Sequence, residues 1–420
     1  MEQNGQAVST VKARESAQFA RFAIVLGFVS AVGPIAIDMY LPALPGIARD
    51  LRTDPNHVGL TLMAYFLGLT IGQPVYGPLS DRLGRRVPLV CGLAIYVIGS
   101  VACAISAGIE VLILGRLLQG LGAGAGITIS AAIVRDLHSG REAIRLMAAR
   151  TLIIGVSPIL APTIGAAIIA AGPWRNIFVA ATVLGIFAMA GVGLIPETHP
   201  PVKRTTIRPV KVLRAYMSLI GHSQFRNTVL AASFVQTALI GYVAGSPFVL
   251  QTIDHLTPAQ YGLVFACNGI GYIGAAQATP HLIHWIRPAH LIRRAILAQS
   301  LVGLALVTEA TFGSVSPIYV LPALFAFQTC TGLVGGPATV VALQSQGSGA
   351  GTAAALMMCA IVGFGAIGSA LVALFADGTA VPMAGVILAG SVCALVAAMR
   401  TDDEDFSDDV ASPMSDQLLH

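Results

Sequence analysis

Asp38 and Arg116 are ionisable side chains in stretches that are otherwise apolar, and each is costly where it sits. A charge inside a lipid bilayer costs about 2.5–3.5 kcal/mol on insertion scales, so such a residue marks a functional site by default. Loss of water pushes a carboxylate toward its protonated form, and a nearby cation pushes it back. A group poised between the two can hold a proton in one state and lose it in another. Cargo binding that tips the balance would release the proton, which is a route to proton-coupled exchange. Asp38 lies six residues before Leu44 and Arg116 six residues after Glu110, each near one end of its stretch. At 1.5 Å per residue both sit roughly 9 Å below the same face. Equal depth allows an ion pair, or two charges facing one cavity. A permanent structural pair is the plainer alternative.

Other candidate groups carry less. Glu309 stands at the outer end of its stretch and reads as interfacial, while His281 and His284 flank a loop and read as solvated. No HExxH, phosphate-loop or GxSxG pattern occurs, so neither an enzyme nor an ATP-driven pump is expected. The six cysteines, Cys91, Cys103, Cys267, Cys330, Cys359 and Cys393, lie singly in apolar stretches with no CxxC pair. They read as reduced, buried thiols, with neither metal site nor disulfide framework. No cofactor is expected.

The elements that must position Asp38 and Arg116 follow from composition. The chain is 55% hydrophobic and 10% charged, with a mean hydropathy of +0.78. Soluble domains carry about 25% charged residues. So apolar a chain needs lipid as its outer solvent, and its 45 Gly and 23 Pro fit membrane helices. A membrane helix needs about 20 mostly apolar residues. Twelve stretches qualify: 20–44, 57–79, 87–107, 110–134, 146–171, 174–195, 226–250, 260–283, 291–311, 316–341, 351–376 and 380–399. The fold class is therefore all-α, a polytopic membrane protein of twelve spans. The first apolar run lacks a small-x-small cleavage pattern and is too long for a signal-peptide core, so it is expected to be retained.

Loop charge orients the spans. Of the 24 Lys and Arg, only Arg49, Arg52, Arg175 and the in-span Arg116 fall outside the loops on one side, which include Arg150 by this reading. That asymmetry places both termini in the cytoplasm. Basic residues scattered over short loops argue against nucleic acid. A Pro-rich, basic linker at 196–225 divides the chain into six-helix halves, 20–195 and 226–399, between an N-terminal tail, 1–19, and an acidic tail, 400–420. The acidic run reads as solvated.

Three motifs then carry a resemblance. Gly77-Pro-Leu-Ser-Asp81-Arg82-Leu-Gly84-Arg85-Arg86 closely resembles the loop signature of the major facilitator superfamily between helices 2 and 3. The resemblance implies a latch of the two halves in the outward-facing state, with Asp81 and Arg85 as its ion pair. Leu114-Gly-Arg116-Leu-Leu-Gln119-Gly120 resembles the helix 4 signature, which implies that Arg116 is the proton-linked arginine. Gly155-Val-Ser-Pro158-Ile-Leu-Ala-Pro162-Thr-Ile-Gly165 resembles the helix 5 signature of antiporters, with Ala161 in place of the more usual Gly.

Asp38-Met-Tyr-Leu-Pro-Ala-Leu-Pro45 and Ser246-Pro-Phe-Val-Leu250 are similar to the Bcr/CflA branch of drug:proton antiporters, which includes bicyclomycin and chloramphenicol exporters. The resemblance implies export of a small lipophilic drug or metabolite from a bacterium, across its inner membrane, by a monomer that exchanges it for protons. Some relatives carry a second acid two turns before Asp38; Ser30 stands there, which makes Asp38 the main proton site and argues against divalent cargo. Depth and residue type nominate Tyr40, Tyr65, Gln119, Phe234, Gln236, Tyr242, Asn268, Tyr272, Phe327, Gln328 and Met357 for the cargo pocket, each with lipid contact or helix packing as its alternative. A proton symporter importing a nutrient, and a receptor without flux, stay open on the same fold.

Overall fold

The computed structural model describes residues 2–203, 209–312, 316–344, 346 and 350–401. The acidic run beyond Thr401 lies outside them. Among the described residues every regular element is helical. The first apolar stretch is built from α1 (Glu2–Asp38), a 3₁₀ turn (Leu41–Ala43) and α2 (Leu44–Asp50). The next five spans are α3 (Pro55–Leu83), α4 (Arg86–Ala104), α5 (Ile109–Leu137), α6 (Gly140–Ala171) and α7 (Arg175–Val192). After α8 (Pro209–Gly221) come α9 (Ser223–Phe248), α10 (Pro258–Leu282), α11 (Pro288–Phe312), α12 (Pro317–Leu343), α13 (Ala350–Phe375) and α14 (Val381–Met399).

All twelve expected spans are helices, and 11 are long and apolar enough to cross a membrane. The twelfth, α10, has the length, but Gln260, Asn268 and Gln277 make it more polar than the others. Two features depart from expectation. The helix of the first span extends back to Glu2, through the expected tail, and the expected linker contains α8. Pro209 starts α8 at a position that tolerates proline, and Gly221 ends it.

Proline decides where the first span breaks. An α-helical carbonyl takes its bond from the N–H four residues on. For Asp38 that residue is Pro42, which has no N–H. The α-helix therefore stops at Asp38, and the chain tightens to Met39, Tyr40 and the 3₁₀ turn. Broken helices inside a membrane are tolerated where surrounding protein satisfies them. Here Asp38, Met39, Tyr40 and Leu41 are all buried.

Glycine then allows the backbones around this break to approach. A Cβ on Gly165 of α6 would collide with the Met39 carbonyl, and one on Gly120 of α5 with the Tyr65 carbonyl. These contacts hold α6 against the turn after Asp38 and α3 against Arg116.

By contacts the chain forms two compact units. The first is Met1–Arg208 with Val243–Gly269 and Ser369–Pro382; the second is Pro209–Tyr242 with Ile270–Gly368 and Met383–His420. The boundary is not the linker alone, because parts of α9, α10 and α13 belong with the first six spans. Gly262 and Gly269 of α10 explain part of this. They sit against the backbone of α6 at Pro162–Thr163 and at Pro158. The second unit has its own apolar core, in which Phe225, Ile296, Val334 and Met357 are buried together. Arg293 donates to the carbonyls of Ala398 and Thr401, a cation placed at the C-terminal end of α14.

The thiols differ from expectation. All six are free, but only Cys103 is buried; Cys91, Cys267 and Cys393 are exposed on the surfaces of their spans. A lone thiol behaves as a small apolar side chain, so a lipid-facing position suits it as well as a core.

Adding one methyl group at Gly165 tests the helix approach. Gly165→Ala should cost about 1–3 kcal/mol through overpacking. Gly335→Ala, where nothing lies within 4 Å, is the control. The purified proteins should show a lower melting temperature for the first substitution and an unchanged one for the second.

Candidate functional site

Asp38 and Arg116 are both buried, at 8% and 0% exposure, and they do not form an ion pair. The expected alternative of a permanent structural pair is thus not what this structure contains. Each charge is held by neutral groups of its own. Asp38 Oδ2 accepts a hydrogen bond of 2.9 Å from the Ser157 hydroxyl of α6. Ser157 lies within the Gly155–Gly165 motif, so the motif reaches the carboxylate directly.

Arg116 sits in an aromatic cage. Its guanidinium carbon is 4.5 Å from the Tyr40 ring centre, 4.4 Å from that of Tyr65 and 5.9 Å from that of Phe178. Ring faces attract cations, most strongly when water is absent. Nη1 donates to Gln119 Oε1 at 2.5 Å, and Gln119 Nε2 donates to Ser100 at 2.8 Å. The Tyr40 hydroxyl meets Thr61 at 2.8 Å, and that of Tyr65 donates to the Gly33 carbonyl at 3.1 Å. Nε and Nη2 of Arg116 are buried with no hydrogen-bond partner. Arginine stays charged in proteins. The cage therefore fixes a positive charge, while Asp38 is held by the Ser157 hydroxyl.

Above the cage, Asp50 Oδ2 accepts from Trp174 Nε1 and Arg175 Nη1, both at 2.9 Å. Trp174 packs edge-on against Phe178, which in turn packs on Tyr40. A line of side chains thus joins that end of the first unit to Arg116.

The opposite end carries the loop signature. Arg85 Nη1 binds Asp81 at 2.5 Å and Ser80 at 2.8 Å, and Nε binds Asp136 of α5 at 2.8 Å. Burial pulls the Arg85 guanidinium down, and the bonds to Asp136 and Asp81 more than restore it, leaving it above its ordinary value. Glu197 accepts the backbone N–H groups of Arg85 and Arg86 at 2.8 and 3.1 Å, which caps α4 with a negative charge. Gly84 ends α3 at φ 92°, a conformation that suits glycine. Gly77 is loosely packed, Arg82 is exposed, and Arg86 is half-buried. The partners named here all lie in the first unit.

The remaining sequence candidates divide. Tyr40, Tyr65 and Gln119 are fully buried supports of Arg116. Of the others, Asn268 is buried in the first unit, and seven lie in the second. There Tyr242 packs on Phe327 at 6.1 Å and Phe234 on Phe364 at 5.1 Å. Gln236 and Tyr272 are half-buried, Gln328 Oε1 is buried without a partner, and Met357 belongs to the apolar core. Of the helix 5 motif, Gly155 is half-buried, while Pro158, Pro162 and Gly165 meet the neighbours described above. No group of three or more His, Cys, Asp or Glu suited to a metal occurs among the described residues.

One arginine needs correction. The loop reading puts Arg150 at the inner surface, but it is buried in α6. Its Nε donates to Ser30 and Ser130 at 2.7 and 3.0 Å, and its Nη2 to the Ile127 carbonyl at 2.9 Å.

Residues 26–370 match the family model described as Major Facilitator Superfamily. The chain belongs to the major facilitator superfamily. It is 33% identical over 373 residues to a Bacillus subtilis protein, "Uncharacterized MFS-type transporter YdgK", covering 88% of this chain and 92% of that one. It is 28% identical over 371 residues to the "Bicyclomycin resistance protein homolog" of Haemophilus influenzae, covering 86% and 91%. "Multidrug resistance protein MdtL" of Escherichia coli is 28% identical over 272 residues, 64% of this chain and 67% of its own. Among solved structures, the D-xylose-proton symporter superposes with a TM-score of 0.73 at 14% identity, covering 91% and 97%. The human organic anion transporter MFSD10 gives 0.68 at 18%, covering 91% and 99%. The protein is a membrane transporter of this superfamily and not an enzyme.

The loop network of this transporter should be cooperative. A double-mutant cycle of Arg85→Met and Asp136→Asn, read by denaturation with sodium dodecyl sulfate, should give a coupling of about 1–3 kcal/mol. The exposed Arg82→Met should show none with Asp136→Asn. Additive effects for Arg85 and Asp136 would contradict the geometry.

Proposed function

We propose that the protein is a proton-coupled antiporter that exports small lipophilic drugs or metabolites across the bacterial inner membrane by alternating access, as a monomer with both termini in the cytoplasm. The observation that carries this reading is Asp38, a buried carboxylate bound to one hydroxyl and not neutralised by Arg116. A carboxylate paired permanently to arginine would stay ionised; one held by Ser157 alone can take a proton and give it back. Ser157 serves both states, donating to the carboxylate and accepting from the acid.

The names of two relatives, a bicyclomycin resistance homologue and a multidrug resistance protein, support drug export. The Asp81–Arg85 network is proposed as the latch of alternating access. Phe234, Gln236, Tyr242, Asn268, Tyr272, Phe327 and Gln328 are proposed to meet cargo, with Tyr40, Tyr65 and Gln119 acting on it through Arg116. The basic residues of the loops support the cytoplasmic termini.

In respiring inverted vesicles the lumen is acid, and cargo entering the lumen is exchanged for protons that leave it. Added cargo should collapse the pH gradient reported by an acridine dye with the wild-type protein. Asp38→Asn should abolish that signal, and Ser157→Ala should weaken it. Full gradient collapse by Asp38→Asn would remove Asp38 from the mechanism.

A further inference from the structure

The end of the first unit that carries Trp174 holds two cavities, of about 450 and 460 Å³. Small-molecule sites run from about 300 to 1,000 Å³. Every residue that lines the two belongs to the first unit, and neither Asp38 nor Arg116 is among them. Three residues line both: Arg49 of α2, Gln251 of the π-helical turn Val249–Ile253, and Pro258 at the start of α10. One cation and one amide are thus shared by both cavities.

Both shared groups have donors to spare. Arg49 makes one hydrogen bond among the described residues, from Nε to the Pro45 carbonyl at 3.3 Å, and takes part in no ion pair there. Its two terminal nitrogens, part of the fork that grips a carboxylate or phosphate through parallel bonds, are unused. Gln251 Nε2 is buried with no hydrogen-bond partner. A buried donor without an acceptor is unfavourable, and an entering acceptor relieves it.

No acid lines either cavity among the described residues. Asp50, beside Arg49, is already taken by Trp174 and Arg175. Asp254 lines neither cavity, and burial pushes its carboxyl above the usual carboxylate range, which lessens its opposition to an anion. The rest of the walls is mainly apolar, with Pro42, Ile169 and Trp174 in one cavity and Phe248 and Leu256 in the other. A cationic ligand would meet Arg49 with no acid to offset it. A purely apolar one would leave the Gln251 donor unmade. We propose that these cavities form a second binding site, separate from Asp38 and Arg116, for an amphiphile whose carboxylate or phosphate is held by Arg49 and Gln251. In the orientation proposed above, the site opens on the outer face of the membrane.

The chain itself supplies the reporter. Its two tryptophans are Trp174, in the wall of the first cavity, and Trp285, which is 89% exposed. Trp285→Phe therefore leaves one indole, at the site, and a bromine atom quenches indole fluorescence on close approach. Three probes would be titrated into this full-length protein, purified in neutral detergent at pH 7: 6-bromohexanoate, its methyl ester, and (6-bromohexyl)trimethylammonium. The acid should quench saturably, be displaced by hexanoate, and bind at least about tenfold more tightly than the other two, a difference of about 1.4 kcal/mol. Arg49→Gln should remove that preference, and Arg49→Lys should keep part of it, since the charge remains but the fork is lost. Gln251→Leu should weaken the acid and spare the ester. Melting temperature checks the fold of each variant. Displacement of the acid by phosphatidylglycerol and not by phosphatidylcholine identifies the occupant as a lipid phosphate, and no displacement identifies it as a soluble acid; either result sustains the site. Equal quenching by acid and ester, a preference unchanged in Arg49→Gln, or no saturable quenching overturns it.

Discussion

Asp38 and Arg116 are both buried in the first unit, and no ion pair joins them. The first unit is organised around that separation. An aromatic cage and an amide hold the arginine, and one serine holds the acid. Close helix approach makes both arrangements possible. Gly120 lets α3 bring Tyr65 to Arg116, and Gly165 brings α6 against the turn after Asp38. Pro42 creates that turn by leaving the Asp38 carbonyl without its helical partner.

The same logic separates one end of the unit from its middle. At one end Arg85 is fully matched by Asp81 and Asp136, and Glu197 caps the neighbouring helix. In the middle, charges are left unmatched and held by neutral dipoles. Unmatched groups are the ones whose state a proton or a ligand can alter. The first unit thus has a charge-matched network at its loop end and buried charges without ionic partners at Asp38 and Arg116.

Much of this was legible in the sequence, for physical reasons. Rare charges in apolar stretches stand out, so Asp38 and Arg116 were visible, and the Gly77–Arg86 spacing marked a loop with paired charges. Ser157 was not visible as a partner. Serines and threonines in helices usually bond the carbonyl four residues back, as Ser100, Thr70 and Thr237 do here. Only the packing of α1 on α6 shows that Ser157 bonds a side chain far away in sequence. Arg150 lies near a span end, where loop and membrane compositions blur, and it was read as a surface cation. Tyr40 and Tyr65 illustrate a different limit. An aromatic at mid-depth looks the same in sequence whether it faces a ligand or cages a guanidinium.

The central claim is that Asp38 is the group whose proton comes and goes in this interior. Infrared difference spectra of the purified protein, taken across a pH titration, read buried carboxylic acids directly. A carbonyl band of a protonated carboxyl should grow as pH falls in the wild type, be absent in Asp38→Asn, and shift in frequency in Ser157→Ala. A band that persists unchanged in Asp38→Asn, or a wild-type spectrum with no titrating buried carboxyl, would contradict the account.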